Sequence, residues 1–141
     1  MKYLKKLFLF TSTFVVISCA STSNISQEQL FESSWELESF SDANIDFDTI
    51  FPNKKPTITF DKNTQKAFGN NSCNGFIAPY FLNKNAISFG EPGAATLMYC
   101  GEGEQFFLKA MKKVTNFRID NQGSLVLMGD KNPLLRFKKR L

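Results

Sequence analysis

The sequence predicts an α+β domain dominated by β: a mostly antiparallel sheet of about eight short strands wrapped around or packed on one amphipathic helix. Three observations predict it. Short runs alternate apolar and polar residues with period two through most of the chain. Turn residues separate those runs at close intervals. A single stretch, Glu102 to Thr115, breaks the pattern with apolar residues at helical spacing.

Trp35 and Leu37 alternate with Glu36 and Glu38, and Ile58 and Phe60 with Thr57 and Thr59. Phe76, Ala78, Tyr80 and Leu82 share one face of a longer run, and Ile87 and Phe89 follow the Asn83-Lys84-Asn85 turn. Phe117 and Ile119, Leu125 and Leu127, and Leu135 and Phe137 complete the series. Asn121-Gln122-Gly123 and the stretch Gly129 to Pro133 read as hairpin connections between the last three runs. In the exceptional stretch Phe107, Met111 and Val114 recur at i, i+4, i+7, with Ala110 beside them, while Lys109, Lys112 and Lys113 face away. Glu102 and Glu104 stand at its start and the lysines toward its end, as the helix dipole favours. Sixteen phenylalanines in 141 residues predict a core packed largely with aromatic rings.

The first eighteen residues predict export. Lys2, Lys5 and Lys6 precede an apolar core from Leu7 to Ile17, and Ser18 is a small residue before Cys19. That core is about 16 Å long as a helix at ~1.5 Å per residue, about half of a bilayer's hydrocarbon thickness of ~30 Å. Val16-Ile17-Ser18-Cys19 resembles a bacterial lipobox, in which the cysteine receives lipid and becomes the new N-terminus. An ordinary signal peptide with a chance cysteine is the competing account; the short core, Ser18 and the polar stretch that follows favour lipidation. Ala20 is not an aspartate-type retention signal, which points to the outer membrane, facing the periplasm. Removing the signal takes three of 17 basic residues and no acid, leaving 14 against 13, a net of +1. The basicity belongs to targeting, and a nucleic-acid surface is not expected.

The expected organisation is a signal peptide over 1–18, a lipidated cysteine with a flexible Ser/Thr/Asn/Gln tether over 19–29, and one small domain over 30–141. With no histidine in the chain, Ser-His and Cys-His pairs and the usual zinc sets are excluded, and no catalytic residue, metal or cofactor is expected. Asp46/Asp48 and Glu36/Glu38 lie at i, i+2 and read as a solvated face. Gly101-Glu102-Gly103-Glu104 lacks the pattern of a phosphate loop and reads as a helix entry with Glu104 near the N-terminal amides. Asn74-Gly75 reads as a turn or bulge needing positive φ at Gly75, with the Asn74 side chain bonding nearby backbone.

Several of these segments, in order, resemble the META domain of HslJ-like bacterial lipoproteins. Trp35 to Leu37, Pro56 to Asp61, Gly69 to Phe76 and Tyr80 resemble its first half. Ala95 to Cys100 resembles its Thr-x-Met-x-Cys segment through Thr96, Met98 and Cys100, and Glu104 to Ala110 its Glu-x-x-Phe-Leu-x-Ala helix. Leu125 to Leu127 and Leu134 to Phe137 resemble its closing hairpin, so the likeness covers nearly all of 33–138. The departures are Asn71-Ser72 in place of a small-residue pair and a short loop from Cys100 to Glu104.

The resemblance implies a β-rich half-barrel around a helix, an exported lipoprotein, and structural roles for Trp35, Asn74, Gly75, Tyr80, Thr96, Met98 and Glu104. The family is associated with heat-shock induction, antibiotic tolerance, and motility or virulence, and no shared enzymatic activity comes with it. Cys73 and Cys100 remain as an even pair once Cys19 is lipidated, which in an oxidising compartment suggests a disulfide. Two buried free thiols are the alternative; both cysteines fall on family motif positions, which favours their being neighbours. Closing that 27-residue separation would stabilise the fold by about 3.5 kcal/mol on the loop-entropy argument. The expected function is a non-enzymatic envelope lipoprotein, a monomeric interaction or stress-maintenance module held to the membrane through Cys19, with an envelope protein or lipid as partner. The alternative is a carrier or pilot that binds an acyl chain or a partner helix in an apolar groove.

Overall fold

The computed structural model describes residues 20–41, 46–94, 98–99 and 101–140. The sheet contains β1 (Ser34–Phe40), β2 (Thr57–Asp61), β3 (Lys66–Asn70), β4 (Gly75–Asn83), β5 (Ala86–Phe89), β6 (Gly93–Ala94), β7 (Asn116–Ile119), β8 (Leu125–Gly129) and β9 (Asn132–Arg140). Its helices are α1 (Ala20–Phe31), α2 (Phe47–Ile50) and α3 (Gly103–Met111). All the strands belong to one sheet, and every pairing is antiparallel.

Neighbour follows neighbour in the order β3-β2-β1-β9-β8-β7-β5-β4, and β4 then pairs with β3, so eight strands form a circuit of pairings. The weakest link is β5–β7, which meet at the single pair Ala86 and Asn116. The two-residue β6 lies along the start of β4, with Ala94 opposite Phe76.

The alternation read from the sequence maps onto burial. Trp35 and Leu37, Ile58 and Phe60, Phe76, Ala78 and Tyr80, Phe117, and Leu135 and Phe137 all enter one core. In β8 three consecutive residues, Leu125, Val126 and Leu127, are buried. Val126 is flanked across both ladders by Arg118 and Arg136, long side chains whose aliphatic stems can shelter an apolar neighbour on the outer face. Helix α3 supplies Phe107 and Met111 to the core, the Phe107 ring lying 5.7 Å from Phe76 and 6.4 Å from Phe137.

Two local expectations are corrected, and two elements, β3 and α2, are added to those read from the sequence. The helix expected from Glu102 to Thr115 ends at Met111, where Lys113 N–H to Ala110 O and Val114 N–H to Met111 O tighten the last turn. Val114 stays buried, and Thr115 N–H already donates to Met128 O in the sheet, so strand pairing ends the helix. Strand β3 carries no clean alternation, yet it pairs on both sides. At Gly69 a Cβ would sit 1.9 Å from Thr57 O, so the close approach of β2 and β3 requires glycine there. Helix α2 is held by Asp46, whose carboxylate accepts from Thr49 Oγ1 at 2.6 Å and Asp48 N at 3.3 Å. Phe40, Phe47 and Phe51 form a triangle of rings about it, each pair 5.4 Å apart.

The second correction concerns the stretch expected to be a flexible tether over 19–29, which carries most of α1. At its end Leu30, inside the expected domain over 30–141, is fully buried and its carbonyl accepts from Trp35 Nε1 at 3.1 Å, and the helix before it docks as well. Gln27 Nε2 donates to Lys84 O at 2.8 Å, and Glu28 pairs with Lys62 at 3.2 Å. Serine, threonine and asparagine disfavour an isolated helix; Leu30 and Phe31 find apolar partners that exist only in the folded sheet.

Candidate functional site

Residues 70–74 fold back on themselves between β3 and β4. Asn70 Oδ1 accepts from Ser72 N at 2.9 Å, and Asn71 Oδ1 accepts from Cys73 N at 3.2 Å and Asn74 N at 2.8 Å. Asn71 N–H donates to Asn74 O at 2.9 Å. The left-handed residue of this loop is Ser72, at φ 93°, and not Gly75, which opens β4 without positive φ. The expectation of positive φ at Gly75 is thereby corrected: asparagine side chains already close the turn upstream of it.

This loop aims two amides at the first turn of α3. Asn71 Nδ2 donates to Glu104 Oε1 at 2.6 Å and Asn74 Nδ2 to Glu104 Oε2 at 2.8 Å. Asn71 is 1% exposed and Asn74 2%. Glu104 thus takes both oxygens to the asparagines, while Glu102 at the helix start makes no side-chain cap. Buried polar groups need partners, and here each supplies the other's.

Asn74 also grips the chain before α3. Its Nδ2 donates to Met98 O at 2.8 Å and its Oδ1 accepts from Met98 N at 2.9 Å. The backbone it was expected to bond nearby lies 24 residues away. With the Met98 backbone held this way, the side chains of Met98 and Tyr99 are 61% and 83% exposed. Cys73 Sγ lies 3.4 Å from Met98 O, two residues before Cys100.

The remaining candidates separate from this cluster. Trp35 and Tyr80 hold the frame: Trp35 through Leu30, and Tyr80 by donating its hydroxyl to Asp61 O at 3.0 Å. Burial and the nearby Asp61 carboxylate push the Tyr80 hydroxyl above its ordinary pKa. Asp61 is held below the ordinary carboxylate value by the N–H groups of Thr64 and Asn63. Cys19, Thr96 and Cys100 lie outside the described residues.

A second polar cluster stands across the sheet. Arg136 bonds Glu38, Asp120, Gln122 Oε1 at 2.7 Å and Ser124 Oγ at 3.1 Å, over an open groove that Arg118 also lines. Burial pushes the Asp120 carboxyl up, but the N–H groups of Ser124 and Gln122 together with Arg136 hold it below its ordinary value. Glu36 pairs with Lys138 at 3.2 Å, so both carboxylates of the Glu36/Glu38 pair serve cross-strand ion pairs. Among the described residues no three of His, Cys, Asp and Glu gather closely enough to hold a metal ion.

The family model of the META domain matches residues 28–140. The chain belongs to the META-domain family. The match begins inside α1, in line with the docked last turn of that helix. No curated protein matches the chain. An NMR structure of a protein from Burkholderia xenovorans is similar over 99% of this chain and 98% of its own, at 19% identity and a TM-score of 0.60, a likeness of fold. Within this META domain, Asn71 is the site residue that sequence reading passed over. Its signal was present as the doubled Asn70-Asn71 ahead of Cys73, but its partner Glu104 is 33 residues distant.

Proposed function

We propose that this META-domain chain is a non-enzymatic, HslJ-like lipoprotein of the bacterial envelope, anchored through Cys19 to the outer membrane and serving as an interaction or stress-maintenance module. The observation that carries the reading is the Asn74 clamp. A buried amide fixes the backbone of Met98 while two large side chains, Met98 and Tyr99, face solvent. Pre-organised, exposed apolar side chains lower the entropic cost of association, and methionine and tyrosine are enriched at interfaces.

The polar groups that could serve chemistry are engaged in structure: Glu104 by two asparagines, Asp120 and Glu38 by Arg136. The circuit of strands supports a half-barrel-like enclosure with α3 as the helix it wraps. A disulfide between Cys73 and Cys100 would tie the same two loops that Asn74 joins, and the closeness of Cys73 to Met98 supports it. A carrier would need space for an acyl chain. The apolar recess among Phe76, Ala78, Phe89, Pro92, Leu108 and Met111 holds about 10 Å³, room for one water at most, and the larger groove of about 390 Å³ beside Phe81, Leu82 and Ile87 is open to solvent rather than enclosed, which favours the interaction reading.

The test is a photo-crosslinking residue at position 99 of the full chain, expressed in bacterial cells, with position 138 as control. A discrete protein adduct from position 99 that Asn74→Ala diminishes is expected. No adduct above the control, with fatty acid co-purifying in stoichiometric amount, would replace the interaction reading with the carrier.

A further inference from the structure

The large exposed apolar side chains of the described residues are Phe68, Ile77, Phe81, Met98 and Tyr99. Three of them form one patch on the outer face of β3 and β4. Phe68 stands directly across from Ile77 in the ladder, and Phe81 follows Ile77 at i+4, on the same face with exposed Pro79 between. Lys66, opposite Pro79, lies on this face too, and Lys84 follows at the tip of the β4–β5 turn. Neither lysine makes an ion pair among the described residues. Glu28 is paired with Lys62, and Asp61, opposite Lys66 in the β2–β3 ladder, keeps its charge while accepting from the N–H groups of Asn63 and Thr64. The far side of the circuit, β9 against β1, instead carries the ion pairs of Glu36 and Glu38 with Lys138 and Arg136.

We propose that the outer β3–β4 face, Phe68, Ile77 and Phe81 with Lys66 and Lys84, rests on a phospholipid surface. This rests on the reading of Cys19 as the lipid anchor. Helix α1 is tied to this end of the sheet through Gln27 to Lys84 and Glu28 to Lys62, and it runs back to Ala20, one residue from Cys19. Twelve helical residues span about 18 Å, shorter than the ~30 Å length of β4. The anchor therefore holds the domain within one helix length of the bilayer, close enough for the patch to reach it. Aromatic side chains flanked by lysines suit that boundary, the rings entering the acyl edge and the ammonium groups meeting anionic headgroups. Met98 and Tyr99, clamped at the opposite end of β4 from Lys84, remain clear of it.

The experiment uses the full lipidated chain reconstituted in vesicles of phosphatidylethanolamine and phosphatidylglycerol, part of the lipid brominated. Phe81→Trp and Lys138→Trp are compared against the wild type, whose single tryptophan, Trp35, is fully buried and gives the background. Bromine should quench the new tryptophan at position 81 at least twofold more strongly than that at position 138, and Lys66→Glu combined with Lys84→Glu should reduce the difference. Equal quenching at the two positions in a membrane-bound chain overturns the proposal. So does a position 81 shielded from both bromolipid and aqueous iodide, the signature of a second copy or another protein covering the patch. If the wild type fails to fractionate with membranes, the anchor reading fails by itself. The same soluble chain is then sedimented with the vesicles: binding that Phe81→Ser abolishes sustains the lipid-facing patch, and no binding overturns it.

Discussion

Replacing Asn74 by alanine removes three hydrogen bonds at once, in a place where water cannot replace them. The lost contacts are Nδ2 to Met98 O at 2.8 Å, Nδ2 to Glu104 Oε2 at 2.8 Å and Met98 N to Oδ1 at 2.9 Å. Two neutral bonds contribute about 1 kcal/mol each, and one to a carboxylate ~1.5–3 kcal/mol. Allowing for non-additivity among bonds that share one side chain, the expected loss is about 3–4 kcal/mol, a large part of the ~5–15 kcal/mol of a whole domain. Equilibrium urea unfolding followed by Trp35 fluorescence measures it, since that ring is buried and is the only tryptophan. Asn74→Asp sharpens the test. It keeps the shape but sets a carboxylate against Glu104, so its cost should exceed that of alanine at pH 7 and shrink as falling pH protonates the new carboxyl. A loss below about 1.5 kcal/mol for Asn74→Ala, or an Asn74→Asp variant indifferent to pH, would refute the account of this cluster as a buried clamp.

The other expectations concern backbone approach, acid stability and the cysteines. Gly69→Ala places a methyl 1.9 Å from Thr57 O, so β2 and β3 must part; a destabilisation of about 3 kcal/mol in the same unfolding assay, or failure to fold, is expected. Asp120 is held below the ordinary carboxylate value of 3.8, so its contribution is present above that value and is lost as pH falls through the lowered native one. The cost of Asp120→Asn should therefore be larger at pH 7 than at pH ~3; an equal cost at both would remove Arg136 and the loop N–H groups as the cause. With the proposed Cys73–Cys100 disulfide intact, the unfolded, unreduced mature domain should label at neither cysteine, and two reactive thiols would exclude the bond. Intact mass of the membrane-extracted chain should show cleavage before Cys19 and added acyl mass, both absent in Cys19→Ser.

Period-two alternation identified the faces of β1, β2, β4, β7 and β9 because a half-buried strand must place every second residue inward. Helical spacing likewise identified Phe107 and Met111 on α3. These patterns are local, and one stretch of chain is enough to carry them. Strand β3 was not legible, because its place depends on how closely Gly69 lets two neighbouring backbones approach, and a glycine in a sequence does not name its neighbours. The end of α3 was not legible either, since Thr115 leaves the helix for a partner on β8. In α1 the polar composition up to Gln29 pointed to a tether, and only the contacts of Gln27 with Lys84 and Glu28 with Lys62 bring that stretch onto the domain.

The site divides the same way. Family motifs picked out Asn74, Met98 and Glu104 as residues of one domain, without indicating that they touch. Asn71 and Asn74 reach Glu104 across 33 and 30 residues of chain, and Met98 comes to Asn74 from 24 residues away. The sequence by itself determined the strand faces, the helix and the family, because periodicity and motif order are properties of neighbours along the chain. The tertiary structure decided which amides meet the carboxylate and which apolar side chains stay outside, because hydrogen bonding and burial depend on neighbours in space.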